Sequence, residues 1–579
     1  MAYNRFFPQF SPFTLSLLLL FCLSSSLSSA DVLPPSPSPP PSTPVSTHTA
    51  CSYTLDPHFC ISQLPKNNSG NVCDYGRFSI RKSLSSATKF LKLILNYLKH
   101  PSSLSPSAVA ALTDCKYLAT LNLDYLSSSF QTVSNTTCRP LDFSSADYAQ
   151  TLLSAVLTNT QTCLDGLQAT ASAWKTVGQG VYAPLKNNTK LFSMSLALYT
   201  KGWVPKLKKQ RVKKHGGKKQ LPLINGTYPF KISHQNKAVF ESKSGRKLLM
   251  SGSDGVVSVS SMVTVSQDGS QDFTTINDAV ATAPNKTNAD SGYFLIYVMA
   301  GVYYEYVTIP KNSKYVMMIG DGINRTVITG NRSVVDGWTT FNSGTFTVQG
   351  TGFVAVGITF RNTAGAIKQQ AVAVRTSADL TSFYSCSFEA YQDTLYAHSL
   401  RQFYQECDIY GTVDFIFGNA AVVFQNCNIY PRQPLNGQSN TITAQGRTDP
   451  NQNTGTSIQN ATIMPAPDLA SCNFSVQTYL GRPWKLYSTA VFLQSDMVGG
   501  LINPAGWLAW NGNFALDTLY YAEFGNRGNG SNTAQRVAWL GYHSNITAAQ
   551  AANFTVGNLL LGDVWLPEEG VPYNDGLTT

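Results

Sequence analysis

Residues Ser382–Phe417 read SFYSCSFEAYQDTLYAHSLRQFYQECDIYGTVDFIF, and within this stretch short alternating apolar runs return at a nearly fixed interval. Cys386-Ser-Phe388 is followed by Cys407-Asp-Ile409 and, just beyond, by Cys427-Asn-Ile429, starting 21 and 20 residues apart; Ile358-Thr-Phe360 precedes them in the same pattern. Units of this length with period-two alternation predict the coils of a parallel β-helix, each burying its inward face against the next. A β-sandwich with fortuitous spacing is the competing fold. In a β-helix, residues one coil apart lie over one another at about 4.8 Å, so spacing becomes position. Asp393 and Asp414 are 21 residues apart and Gln370 and Gln392 are 22 apart. Two carboxylates and two amides from three successive coils are therefore expected to converge on one patch of the outer surface.

Carboxylates this close do not ionise independently, so one apparent pKa is expected to rise and the other to fall. Such a pair supplies a proton donor beside an ionised nucleophile. With two amides it suits ester hydrolysis: Asp414 to attack the carbonyl, Asp393 to protonate the leaving alcohol and then activate water, Gln370 and Gln392 to hold the oxyanion. Downstream, Leu480-Gly481-Arg482-Pro483-Trp484 offers a guanidinium for a carboxylate and an indole for a sugar face. Singly, each of these residues has an ordinary use as turn cap, surface ion pair or packing. The coil spacing is what joins them.

A chain of 579 residues is too long for one core and calls for two folded domains with tails. Its net charge of +10 hides two opposed halves. From Met250 onward there are 15 Lys+Arg against 23 Asp+Glu, a net of −8, and the remainder has 27 against 9, a net of +18. The acidic C-terminal half removes the main support for a nucleic-acid partner. It also predicts weak, salt-sensitive retention on any polyanion.

Residues 1–30 run from Arg5 through an apolar core, Leu15–Leu23, to Ser28-Ser29-Ala30. That is the order of a cleaved secretory signal, and the core is shorter than the roughly 20 residues of a spanning helix. No stable membrane anchor is expected. Removing Cys22 with the signal leaves ten of the eleven cysteines, an even number consistent with disulfides in an oxidising compartment. Twelve Asn-x-Ser/Thr sequons agree with secretion.

Residues 31–50 are Pro/Ser/Thr-rich and read as a spacer. Residues 51–200 read as an all-α antiparallel helix bundle. Ile80, Leu84, Ala87, Leu91, Ile94 and Leu98 fall on one helix face, Ser105-Pro106 supplies an N-cap and first-turn proline, and Ser144 with Asp147 resembles a capping box. Cys51 and Cys60 enclose a short loop, a Cys115–Cys163 bridge would staple two helices, and Cys73 with Cys138 remain as a third pairing, although spacing does not establish connectivity. Residues 201–249 form a basic linker, with KLKKQRVKKHGGKK over Lys206–Lys219 and Arg246-Lys247-Leu248-Leu249 at its end. The bland reading is a solvated charge run; the sharper one is a processing site at Arg246-Lys247 that separates a pro-region from residues 250–579.

Five segments carry a family resemblance: Gly301-Val-Tyr-Tyr-Glu305, Gln370-Ala-Val-Ala373, Tyr391-Gln-Asp-Thr-Leu395, Gly411-Thr-Val-Asp-Phe-Ile-Phe-Gly418 and Leu480-Gly-Arg-Pro-Trp484. In this order they resemble the signature motifs of plant pectin methylesterases, over about residues 255–575. The helical segment resembles the pectin methylesterase inhibitor domain, with Cys51/Cys60 and Cys115/Cys163 matching its two disulfides, and Arg246-Lys247-Leu248-Leu249 matches the family's processing motif.

The resemblance implies a right-handed parallel β-helix that demethylates homogalacturonan in the cell wall, releasing methanol, without metal or organic cofactor. It implies Asp414 as nucleophile, Asp393 as acid/base, Gln392 as transition-state stabiliser and Gln370 as an oxyanion and substrate contact. Arg482, Trp484 and Thr340 are implied as further substrate contacts, and Cys407–Cys427 as a disulfide. The implied partners are pectin, inhibitor proteins and a processing protease, with a monomer after processing. Glu389-Ala390 and Thr489 depart from the usual pattern next to Tyr391 and Tyr487-Ser488. The alternatives are an inactive carbohydrate-binding β-helix, or a secreted inhibitor or interaction protein acting through its helices.

Overall fold

The computed structural model describes residues 42–66, 70–205, 230–231 and 257–578. The expected signal segment, most of the spacer and most of the linker, Arg246-Lys247 included, lie outside the described residues. Two short helices come first, α1 (Thr47–Cys51) and α2 (Pro57–Gln63), then the long α3 (Val72–Leu98), α4 (Pro106–Ser134) and α5 (Phe143–Ala169). The short α6 (Ala171–Ala173) runs through a π-helical stretch, Trp174–Gly178, into α7 (Gln179–Trp203). α1 begins inside the stretch expected to be spacer, because the Ser46 side chain caps it by accepting from the Thr49 amide.

The four long helices pack α3 on α4, α4 on α5, α5 on α7 and α7 on α3, closing a four-helix bundle. Ile80, Ala87 and Ile94 are buried along α3, as their spacing requires. Ser105 caps α4 as expected. For α5 the cap is Asp142, which accepts from Ser145 N at 2.9 Å; the capping box expected from Ser144 and Asp147 does not form, since Asp147 points out of the bundle toward Arg401 and Asn453. Disulfides join Cys51–Cys60, Cys73–Cys138 and Cys115–Cys163.

From Val257 the chain winds into a right-handed parallel β-helix with three sheets of twelve, eight and seven strands, the first strand of the largest being Phe230–Lys231. One coil runs Thr381–Tyr384, Ser387–Glu389, Leu395–Ala397, and the next runs Arg401–Gln405, Asp408–Gly411, Ile416–Gly418. Each strand pairs in parallel with its counterpart one coil on, as Phe388 with Ile409 and Leu395 with Ile416. Inward side chains stack as ladders: Phe383, Tyr404 and Phe424 lie ring on ring at 5.0 and 4.6 Å. Each such aromatic step adds about 0.5–1.5 kcal/mol to the area it buries.

The repeat visible in the sequence is a corner. Ser385, Glu406, Asn426, Asn460 and Gln494 all take a left-handed backbone, with φ between 50° and 56°, turning the chain from the largest sheet into the eight-stranded one. The next residue must be small and point inward, and it is Cys386, Cys407, Cys427, Ala461 or Ser495. Cys407 and Cys427 are free thiols, so the implied disulfide between them does not form. In register one coil apart, their side chains run parallel, and each Sγ instead contacts backbone carbonyls, Phe383 O and Gln405 O at 3.4 Å for Cys407, Tyr404 O and Gln425 O at 3.5 Å for Cys427.

Bundle and β-helix share one apolar cluster, in which Ala108, Leu112 and Cys115 of α4 meet Phe341, Val372, Tyr396 and Phe417 of the coils. The face they cover carries the expected site.

Candidate active site

Asp393 and Asp414 sit at equivalent corners of adjacent coils, between the eight- and seven-stranded sheets, both in the left-handed region at φ 61° and 53°. Aspartate tolerates that conformation better than most residues, and here it turns the two carboxylates toward the same cleft. Asp393 N donates to Val413 O at 3.1 Å, which locks the coils in register. Gly411 permits the turn into Asp414, since a Cβ there would meet Phe415 Cβ at 2.1 Å.

The Asp414 carboxylate is held from two sides. Arg482 donates Nε to Oδ1 and Nη2 to Oδ2, both at 2.7 Å, a bidentate, charge-assisted fork. Thr441 Oγ1 donates to Oδ1 at 2.7 Å and accepts from the Asp414 amide at 2.8 Å. Oδ1 thus receives two donors and Oδ2 one, so Oδ2 keeps the freer lone pairs. Arg482 had been expected to await a substrate carboxylate; its fork is occupied by Asp414, and its guanidinium lies 4.4 Å from the Trp510 ring centre.

Asp393 is buried with no cation or hydrogen-bond donor on its carboxyl group among the described residues. Burial, with the Asp414 charge second, drives its pKa well above the ordinary carboxylate range, against the opposing pull of Arg482. Burial thus outweighs the coupling between carboxylates that spacing had singled out. The result is a carboxyl group kept protonated near an ion-paired carboxylate, the arrangement that acid-assisted acyl transfer requires.

Gln370 and Gln392 line the same cleft of about 730 Å³, together with Thr340 and Trp484. Neither amide side chain engages another group among the described residues, so both are available as donors. Trp484 packs near the edges of Phe417 and Tyr396, at ring separations of 6.0 and 6.5 Å. All the sequence-derived site residues of the β-helix meet in this one cleft. Thr441, Trp338 and Trp510 escaped notice. Thr441 stands one coil after Asp414, but that coil is lengthened by the loop before Asn440, which breaks the 21-residue period.

The bundle forms the opposite wall. Asp114 of α4 accepts from Thr339 Oγ1 at 2.6 Å and from Asn342, Asp165 of α5 pairs with Lys485 at 2.8 Å, and Thr162 bonds His398 Nε2 at 2.9 Å. Burial pushes Asp114 up to about 7, opposed by the Thr339 hydrogen bond and the Arg375 charge. No helix among the described residues is long and apolar enough to cross a membrane.

Comparison with known proteins agrees with this architecture. Residues 262–563 match the pectinesterase family and residues 46–198 the plant invertase/pectin methylesterase inhibitor family. Among similar proteins, the probable pectinesterase/pectinesterase inhibitor 41 of Arabidopsis thaliana is 60% identical over 92% of this chain and 95% of its own. The probable pectinesterase/pectinesterase inhibitor 7 of the same plant is 56% identical over 98% and 99%. The solved structure of pectin methylesterase from carrot is 52% identical, covers 54% of this chain and 98% of its own, and superposes with a TM-score of 0.53. With its coils, cleft and helical domain, the chain belongs to the pectinesterase family and carries an N-terminal domain of the plant invertase/pectin methylesterase inhibitor type.

Proposed function

We propose that this chain is secreted to the cell wall and hydrolyses the methyl esters of homogalacturonan, yielding methanol and free carboxylates. The observation that carries the reading is the unequal pair: Asp393 buried without a partner among the described residues, its pKa raised well above the ordinary carboxylate range by that burial, and Asp414 ion-paired by Arg482. Asp414 Oδ2 attacks the ester carbonyl while the Gln370 and Gln392 amides receive the developing oxyanion. As the tetrahedral intermediate collapses, Asp393 gives its proton to the departing methanol, leaving an acyl anhydride on Asp414. Asp393, now a carboxylate, takes a proton from water, which opens the anhydride, frees the acid product and restores both residues. Thr340 and Trp484 border the space where the polymer would lie. Methanol release from esterified pectin by the secreted, processed protein tests the reading; a folded protein that releases none would sink it.

The helical domain serves, in this reading, to hold the cleft closed until the chain is cut at Arg246-Lys247. Asp114, Thr162 and Asp165 of the bundle supply the supporting contacts. The uncut chain should therefore release methanol much more slowly than the cut one. Equal rates would exclude inhibition by the domain and leave the esterase intact.

A further inference from the structure

At the rim of the cleft one guanidinium is clamped between two aromatic rings. Arg332 Cζ lies 3.6 Å from the Tyr306 ring centre and 3.8 Å from that of Trp338. Trp338 itself lines the cleft that holds Asp393 and Asp414. With a ring on each side, the guanidinium presents its N–H edges in plane, the geometry that grips a carboxylate at two points. Among the described residues no carboxylate pairs with it, whereas neighbouring Lys368 is paired with Asp336.

The clamp is preorganised. Tyr306 Oη donates to Asn331 Oδ1 at 2.9 Å and accepts from Asn331 N at 3.0 Å. The Asn362 amide holds the Arg332 carbonyl at 2.9 Å, and Trp338 N returns to Ser333 O at 3.2 Å. Gly330 leaves room for the phenol, because a Cβ there would lie 2.6 Å from the Tyr306 ring. The loop is tied to the reaction centre through Val334 N, which donates to Gln370 O at 3.0 Å. A rigid, uncompensated fork beside a cleft for a polymer of esterified acids has an evident ligand in the free acid form of the same units.

We propose that the Tyr306–Arg332–Trp338 stack is a subsite for the free carboxylate of an already demethylated sugar unit, located away from the ester being cleaved, so that partly de-esterified chains are preferred. The inference rests on the ester-hydrolysis reading above.

The test compares kcat/KM for methanol release from partly de-esterified and from fully esterified pectin, using the secreted, processed protein and its Arg332→Gln and Arg332→Lys variants, with melting temperatures as the control for folding. The ratio of the two values should fall roughly tenfold in Arg332→Gln, through KM, and less in Arg332→Lys, which keeps the charge and loses the fork. A ratio unchanged in both variants overturns the subsite; should Arg332→Gln not fold, Arg332→Lys alone makes the comparison. If the wild-type protein releases no methanol, the hydrolytic reading has failed, and calorimetric titration with a free-acid oligogalacturonate decides the subsite instead. Binding weakened about tenfold by the variant upholds it, and equal binding refutes it.

Discussion

Arg401 and Arg482 each close a two-point fork on an aspartate of the coils, Arg401 on Asp379 at 3.0 and 2.6 Å and Arg482 on Asp414 at 2.7 and 2.7 Å. Their surroundings differ. Arg401 spends a further donor on Asp147 of α5 at 3.0 Å, so its charge is matched twice over, and its side chain is buried. Arg482 has one acid partner, and the second carboxyl nearby, Asp393, has no donor of its own and faces a cleft. A buried arginine–aspartate fork is thus not in itself a reactive arrangement. Reactivity requires an acid left uncompensated beside it, with room for a ligand.

The comparison breaks first at Asp414. Asp414→Asn keeps the shape but removes the attacking oxygen, and methanol release should fall by at least about 10⁴-fold; a residual rate above a hundredth of wild type would move the nucleophile elsewhere. Next comes Asp393→Asn, expected to lose on the order of 10²- to 10⁴-fold in kcat. With Asp393 intact, the first step needs its proton, so the rate should decline as pH rises through its raised pKa. Stability follows the same direction. The contribution of the buried neutral acid is complete below the unfolded value of about 3.9 and is lost as pH climbs through the folded one. Asp393→Asn should therefore flatten the upper limb of a plot of melting temperature against pH.

At the other fork, Arg401→Met strands the buried Asp379 and the partly buried Asp147 and should cost the uncut chain about 3–5 kcal/mol in denaturant unfolding, while the processed protein that does fold keeps its rate. A comparable loss of kcat would show that the two forks are not separate. The smallest effect is expected at Thr441. Thr441→Val removes a hydrogen bond to a charged oxygen and should lower kcat roughly ten- to a hundredfold with KM little changed, and Thr441→Ser should restore most of it. Equal rates in the valine and serine variants would leave Thr441 a merely structural role.

Much of this was legible along the chain because a coil is a local unit. The corners at Ser385, Glu406 and Asn426 recur at almost constant spacing, and the same period carries Asp393 onto Asp414. What stayed hidden depends on chain geometry that no period conveys. Arg482 reaches Asp414 from just past a strand two coils farther on, so its pairing with an internal carboxylate is set by side-chain length and stacking. The pairing expected for Cys407 and Cys427 came from likeness and not from geometry, and the in-register ladder leaves both as thiols. Asp147 was assigned to a helix cap, but its environment is made by another domain, beyond the reach of a capping rule.

Covalent cross-links are distributed unevenly in this molecule. All three disulfides among the described residues lie in or beside the helices, and the coils have none. A reductant therefore acts on the cover and spares the machinery: losing a bridge in a small domain costs about 2–5 kcal/mol, while the stacked coils keep their hydrogen bonds and buried ladders.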